Sequence, residues 1–193
     1  MGDPDLLRRE LRYGVAIATA IAVLLCVRDF AWAATEVGAT APPLVVKELS
    51  GQTFDLSAMR GKVVVINFWA TWCPPCRKEM PALDAFYRDY HDRGVEVIGL
   101  SIERSRKHSD VAEMMQSYRY RAAMLADSTS NGFATPAVLP ETIVIDRDSI
   151  IRAVLKSDQT VMTENDLSAV VLPLLAQKQE TPAPIASKST AKP

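Results

Sequence analysis

The segment Lys62–Ala70, KVVVINFWA, is an almost unbroken run of apolar, mostly β-branched and aromatic residues. Asn67 is the polar exception inside it. A run without alternation predicts a strand buried on both faces, as in the middle of a sheet covered by helices. Val95–Ile102, VEVIGLSI, predicts a second strand of the same kind. Between the two the period changes. From Pro74 to about Tyr90, residues Leu83, Phe86, Tyr87 and Tyr90 fall at i, i+3, i+4 and i+7, which is one helical face. Pro81 lies inside this helix and predicts a kink near Met80, and Gly94 ends the unit. Strand, helix, strand in this order predicts a βαβ unit with parallel strands.

The flanking pattern extends the sheet. Ala41-Pro42-Pro43 followed by LVVKEL predicts an extended approach and a short strand, closed by a turn at Ser50-Gly51-Gln52. Asp110–Tyr118 predicts a helix, and Ala122–Leu125 is a short apolar piece. Thr142–Asp146 and Ile150–Lys156 predict two strands of a hairpin joined by Arg147-Asp148-Ser149. Thr163-Glu164-Asn165-Asp166 resembles a capping box. It opens a last helix whose apolar face is Leu167, Val170, Val171, Leu174 and Leu175, with Pro173 weakening its end. The whole predicts an α/β fold, a mixed central sheet flanked by helices.

The two ends read differently. Gly14–Val27 is an apolar run preceded by Arg8, Arg9 and Arg12 and followed by Arg28 and Asp29. A run this short suits a signal peptide better than a full membrane span. Ala31-Trp32-Ala33 fits the small-x-small cleavage pattern. Residues 1–33 are therefore expected to be a secretory signal or, if uncleaved, a membrane anchor. Either way the arginine bias places the rest of the chain outside the cytoplasm. Residues 179–193, rich in Pro, Ala, Ser, Thr and Lys, are expected to be a disordered tail. Residues 34–178 remain for one well-cored domain.

Composition narrows the chemistry. Hydrophobic residues make up 48% and charged residues 23%, a globular balance, and the net charge of -1 gives no basic surplus for nucleic acid. Three cysteines and two histidines, His91 and His108, are too few and too scattered for a structural zinc site, and no metal is expected. Cys26 lies in the apolar run and has no expected chemistry.

The chemistry is concentrated in Trp72-Cys73-Pro74-Pro75-Cys76, where the first buried strand hands over to the helix. A helix N-terminus carries free N–H groups and partial positive charge, which favour a thiolate and lower its pKa. Cys73 is expected to be exposed at the helix end, and Cys76, one turn in, to be shielded. Cys73 would attack a client disulfide and Cys76 would resolve the mixed disulfide. Pro74 and Pro75 suit a first turn, where a missing N–H costs little. A passive structural disulfide is disfavoured, because so short a loop yields little chain-entropy stabilisation.

The run Asn67–Pro81, NFWATWCPPCRKEMP, resembles the signature of TlpA/ResA-type thiol–disulfide oxidoreductases, exported or membrane-tethered proteins with a thioredoxin-like fold. The resemblance extends from about Val37 through Leu139–Asp146 to the last helix. It implies a three-layer sandwich with an N-terminal β extension. It implies that Pro140 is a cis-proline beside the active-site disulfide, after Leu139, and that Glu79 exchanges protons with Cys76 and tunes it. The alternative for Glu79 is a solvated first-turn acid. Asn67 stands where thioredoxin has a buried aspartate. Trp72, Pro74, Pro75 and Leu139 would line the substrate groove, with ordinary packing as the alternative for Trp72. Pro140-Glu141-Thr142 resembles instead the cytochrome c maturation thioredoxins of the CcmG/DsbE type.

These resemblances imply a reductase of client protein disulfides, such as an apocytochrome c or a metal-site protein. No cofactor beyond the Cys73/Cys76 dithiol is expected, and re-reduction would come from a membrane electron donor of the DsbD/CcdA kind. Competing readings are a thiol oxidase or isomerase, although the chain has no room for the inserted helical domain of the DsbA type, and a copper chaperone using Cys73 and Cys76 as soft ligands. A peroxidase would need Pro and Thr where this chain has Ile66 and Ala70.

Overall fold

The computed structural model of the protein describes residues 35–156 and 161–177. The expected signal or anchor of residues 1–33 and the expected tail of residues 179–193 lie outside the described residues.

Seven strands form one mixed sheet: β1 (Leu44–Glu48), β2 (Thr53–Asp55), β3 (Val63–Trp69), β4 (Val95–Ser101), β5 (Arg121–Asn131), β6 (Glu141–Ile145) and β7 (Ile151–Lys156). Their order across the sheet is β2-β1-β5-β4-β3-β6-β7. The two apolar runs occupy its middle. All seven residues of β3 are buried, as are all seven of β4, and the two strands pair in parallel from Val63↔Val95 to Trp69↔Ser101. β6 runs antiparallel on the other side of β3, with Asn67 opposite Thr142. The predicted β6–β7 hairpin is present.

Side chains alternate across the pleat and divide the core. Val63, Val65 and Trp69 join a cluster with Leu83 and Phe86 of α1 (Pro74–Tyr90), Val111 and Met115 of α2 (His108–Met115), and Leu167, Val171 and Leu174 of α3 (Glu164–Ala176). Both βα crossovers, β3–α1–β4 and β4–α2–β5, step in the same direction along the sheet. Right-handed connections then put both helices on one face. Val64, Ile66 and Phe68 pack on the opposite face with Val46, Phe54, Leu56 of a 3₁₀ turn and Phe133 of the β5–β6 loop. This face is lined by short segments, whereas the helical layer lies on the first.

α1 passes through Pro81 without ending there. Two local expectations are met. α1 gives way to a 3₁₀ turn and then to Gly94 at φ 91°, a left-handed position suited to glycine. Thr163 caps α3 in a full capping box with Asp166. Two differ. The helix predicted over Asp110–Tyr118 begins earlier, at His108, and stops at Met115. The short apolar piece at Ala122–Leu125 is the buried start of an eleven-residue strand. Its second half carries polar side chains and pairs with β1 with register shifts.

Candidate active site

The site lies at the C-terminal end of β3 and is built by a tight turn. The Cys73 amide donates to the Ala70 carbonyl at 3.1 Å, so Thr71 and Trp72 form the corner between strand and helix. Cys73 is the N-cap of α1, with extended backbone, and its Sγ accepts from the Cys76 amide at 3.2 Å. Pro74 and Pro75 occupy the first two helical positions. Both are exposed, and the first turn contains no acidic residue. No carboxylate of the helix's own first turn therefore opposes a Cys73 thiolate at its N-terminus.

Cys73 and Cys76 are joined as a disulfide. Their burial corrects the expectation of an exposed first cysteine. Cys73 is 3% accessible and Cys76 not at all. Cys73 is the more accessible of the two residues. Trp72 beside it is 65% exposed, which removes ordinary packing as its explanation. Leu139, half-buried, and Val138, 55% exposed, are the apolar residues preceding Pro140, and the Leu139–Pro140 peptide is cis.

Glu79 is buried, contrary to the alternative of a solvated helix acid. It is 1% exposed and lies one turn beyond Cys76. Nδ2 of Asn67 donates to Glu79 Oε1 at 2.7 Å and to Thr142 Oγ1 at 2.9 Å. The carboxyl rises from 4.5 to about 7, because burial disfavours its charge. Hydrogen bonds from Asn67 and from the Met162 amide oppose that rise. Glu79 and Pro140 share a cleft of about 290 Å³ with Thr142, Leu155, Lys156 and Met162. Lys156 pairs with Glu141 at 3.2 Å.

The arrangement can store two electrons in a dithiol and hold, one turn away, a carboxyl able to take or give a proton near neutrality. The structure brings Glu79 and Pro140 into one cleft and Asn67 into contact with Glu79, while Trp72, Pro74 and Pro75 stand exposed around Cys73. Thr142 was missed from the sequence. A signal was available: Asn67 and Thr142 are polar residues inside wholly buried strands, and the two strands pair them directly.

The sequence profile of the AhpC/TSA family matches residues 37–154. The thiol–disulfide oxidoreductase ResA of Bacillus thuringiensis is 35% identical over 129 residues, covering 65% of this chain and 72% of the relative. A secreted thiol–disulfide isomerase from Corynebacterium glutamicum has a similar structure, with 26% identity, a TM-score of 0.58 and coverage of 71% of this chain and 86% of that one. A secreted Mycobacterium tuberculosis disulfide oxidoreductase homologous to DsbE shares the fold at 23% identity, with a TM-score of 0.56 and coverage of 67% and 95%. Among the described residues no helix is long and apolar enough to cross a membrane.

Proposed function

Because the chain belongs to the AhpC/TSA family and is a thiol–disulfide oxidoreductase with a thioredoxin-like fold, we propose that it acts outside the cytoplasm as a reductant of client protein disulfides. The observation that carries this reading is the pairing of a dithiol at a helix N-terminus with a buried carboxyl poised near neutrality. In the reduced protein the Cys73 thiolate attacks one sulfur of the client disulfide. A Cys73–client mixed disulfide forms and the other client sulfur leaves as a thiolate. Cys76 then loses its proton to Glu79 and attacks the Cys73 sulfur. The Cys73–Cys76 disulfide closes and the second client thiolate leaves, so two electrons have passed to the client. Pro140 and Leu139 shape the groove in which the client chain lies, with Trp72, Pro74 and Pro75 opposite. No cofactor is required, since the electrons reside in the dithiol.

Reduction in an oxidising compartment needs a supply of electrons, and a membrane dithiol donor of the DsbD/CcdA kind suits it. Residues 1–33 would direct export as signal or anchor. Pro140-Glu141-Thr142 points towards an apocytochrome c as client and the Cys73-Pro74-Pro75-Cys76 centre back towards the TlpA/ResA type, so an apocytochrome c and a metal-site protein both stay open as clients. The test is the steady-state redox form in growing cells, fixed by acid and read by a mass-adding thiol reagent. A reductase will be found mainly as the Cys73/Cys76 dithiol, and will become oxidised when the donor is removed. A predominantly oxidised protein, unaffected by the donor, would make it an oxidase instead.

A further inference from the structure

We infer that Glu103 is a positioning residue for the reaction: its carboxylate fixes the turn that presents Trp72 and Cys73 to a client. The parallel ladder between β3 and β4 ends at Trp69↔Ser101, and the Ile102 amide still donates to the Trp69 carbonyl at 3.0 Å. Beyond that point β3 turns away through Ala70–Cys73, out of reach of the β4 ladder. The Glu103 side chain takes the next place. Its Oε2 accepts from the Thr71 amide at 2.8 Å, and its Oε1 from the Thr71 hydroxyl at 2.7 Å. The Ser101 hydroxyl donates to Oε2 at 3.3 Å and accepts from the Glu103 amide at 3.3 Å, which holds the carboxylate against the strand end.

This geometry is more than surface decoration. Glu103 is 7% exposed, and Ser101 is fully buried. Among the described residues Glu103 takes part in no salt bridge, so its acceptors serve Thr71 and Ser101. Thr71 is the first corner residue of the turn closed by the Cys73 amide and the Ala70 carbonyl. Pinning both donors of Thr71, its amide and its hydroxyl, leaves Trp72 held between a fixed Thr71 and the helix-capping Cys73. A large exposed indole on a fixed corner can form a defined contact with a client chain; on a loose corner it cannot without losing entropy when the client binds.

The inference rests on the dithiol chemistry and not on export or on the identity of the client. Reduced wild-type protein, Glu103→Ala, Thr71→Val and the double variant are compared on insulin, a protein disulfide, and on Ellman's reagent, a small one. Glu103→Ala should lower the second-order rate on insulin by about tenfold, the equivalent of one charge-assisted hydrogen bond. It should leave the rate on Ellman's reagent within about threefold, because the thiolate itself is intact. Thr71→Val should lower the insulin rate by about threefold, and the double variant should be no slower than Glu103→Ala, since the hydroxyl bond lost in Thr71→Val is already lost in Glu103→Ala. Additive losses, equal losses on both substrates, or an insulin rate within about twofold of wild type for Thr71→Val would overturn the inference. Thr71→Val and Glu103→Gln keep the test decisive if Glu103→Ala does not fold. An inactive wild type would count against the oxidoreductase reading itself.

Discussion

Glu79→Gln should make the oxidised protein more stable than wild type by an amount that grows with pH. Gln copies the uncharged carboxyl in size and keeps an oxygen for the Asn67 amide. Burial lifts the Glu79 carboxyl from 4.5 to about 7. The folded state therefore retains a proton over a window in which the unfolded chain has lost it. The Glu79 contribution to wild-type stability falls as the pH rises from 4.5 to about 7 and is level above. At about 1.36 kcal/mol per pH unit, the full penalty is about 3 kcal/mol. Gln carries no charge and escapes it. The stability difference, variant minus wild type, should be flat below pH 4.5, widen by about 3 kcal/mol across the window and be flat again above about 7. Any pH-independent effect of the substitution cancels in this comparison. For a domain of this size the widening corresponds to roughly 6–12 °C in Tm. The assay is urea unfolding of both oxidised proteins from pH 4 to about 8.5, followed by circular dichroism. A gap independent of pH would refute burial as the cause of the shift. A gap that closes as pH rises would show that the folded protein prefers a charged Glu79. An exposed helix acid would give less than about 1 kcal/mol at any pH.

The same geometry makes three further outcomes testable. Asn67→Ala removes a hydrogen bond that favours the charged form, so the Glu79 carboxyl should titrate above 7 in a carbon-detected NMR titration; an unchanged or lower midpoint would contradict the contact. Gly99→Ala would place a Cβ 3.0 Å from the Trp69 indole nitrogen and 3.1 Å from the Tyr120 ring, and should cost about 1–3 kcal/mol in chemical denaturation; a neutral result would mean that the two rings yield freely. A phosphatase that folds only in an oxidising compartment, fused after Gln177, should be active, and activity confined to a cytoplasmic reporter would reverse the proposed orientation.

Much of the architecture could be read from periodicity because the sheet centre imposes it. β3 and β4 are buried on both faces and show as continuous apolar runs, and the Thr163 capping box marks the start of α3. The long β5 was hidden, since its outer half, Asp127–Asn131, is polar and pairs irregularly with β1. The dithiol was legible from its spacing and its place between strand and helix. The burial of Glu79 was not. A carboxylate near a helix start usually faces water, and its interior partners, Asn67 (itself bonded to Thr142) and the Met162 amide, come from segments distant in sequence. Glu103 was hidden for a similar reason: its partner Thr71 is distant in sequence, and no local pattern joins them.

The most direct test of the central claim is capture of the reaction intermediate. Cys76→Ser protein, reduced and mixed with an oxidised client, cannot resolve the mixed disulfide. It should accumulate a covalent adduct through Cys73, cleaved by dithiothreitol, whereas Cys73→Ser under the same conditions should give none. Adducts formed through Cys76 in the Cys73→Ser protein, with Cys76→Ser remaining free, would contradict the assignment of Cys73 as the attacking sulfur and with it the mechanism.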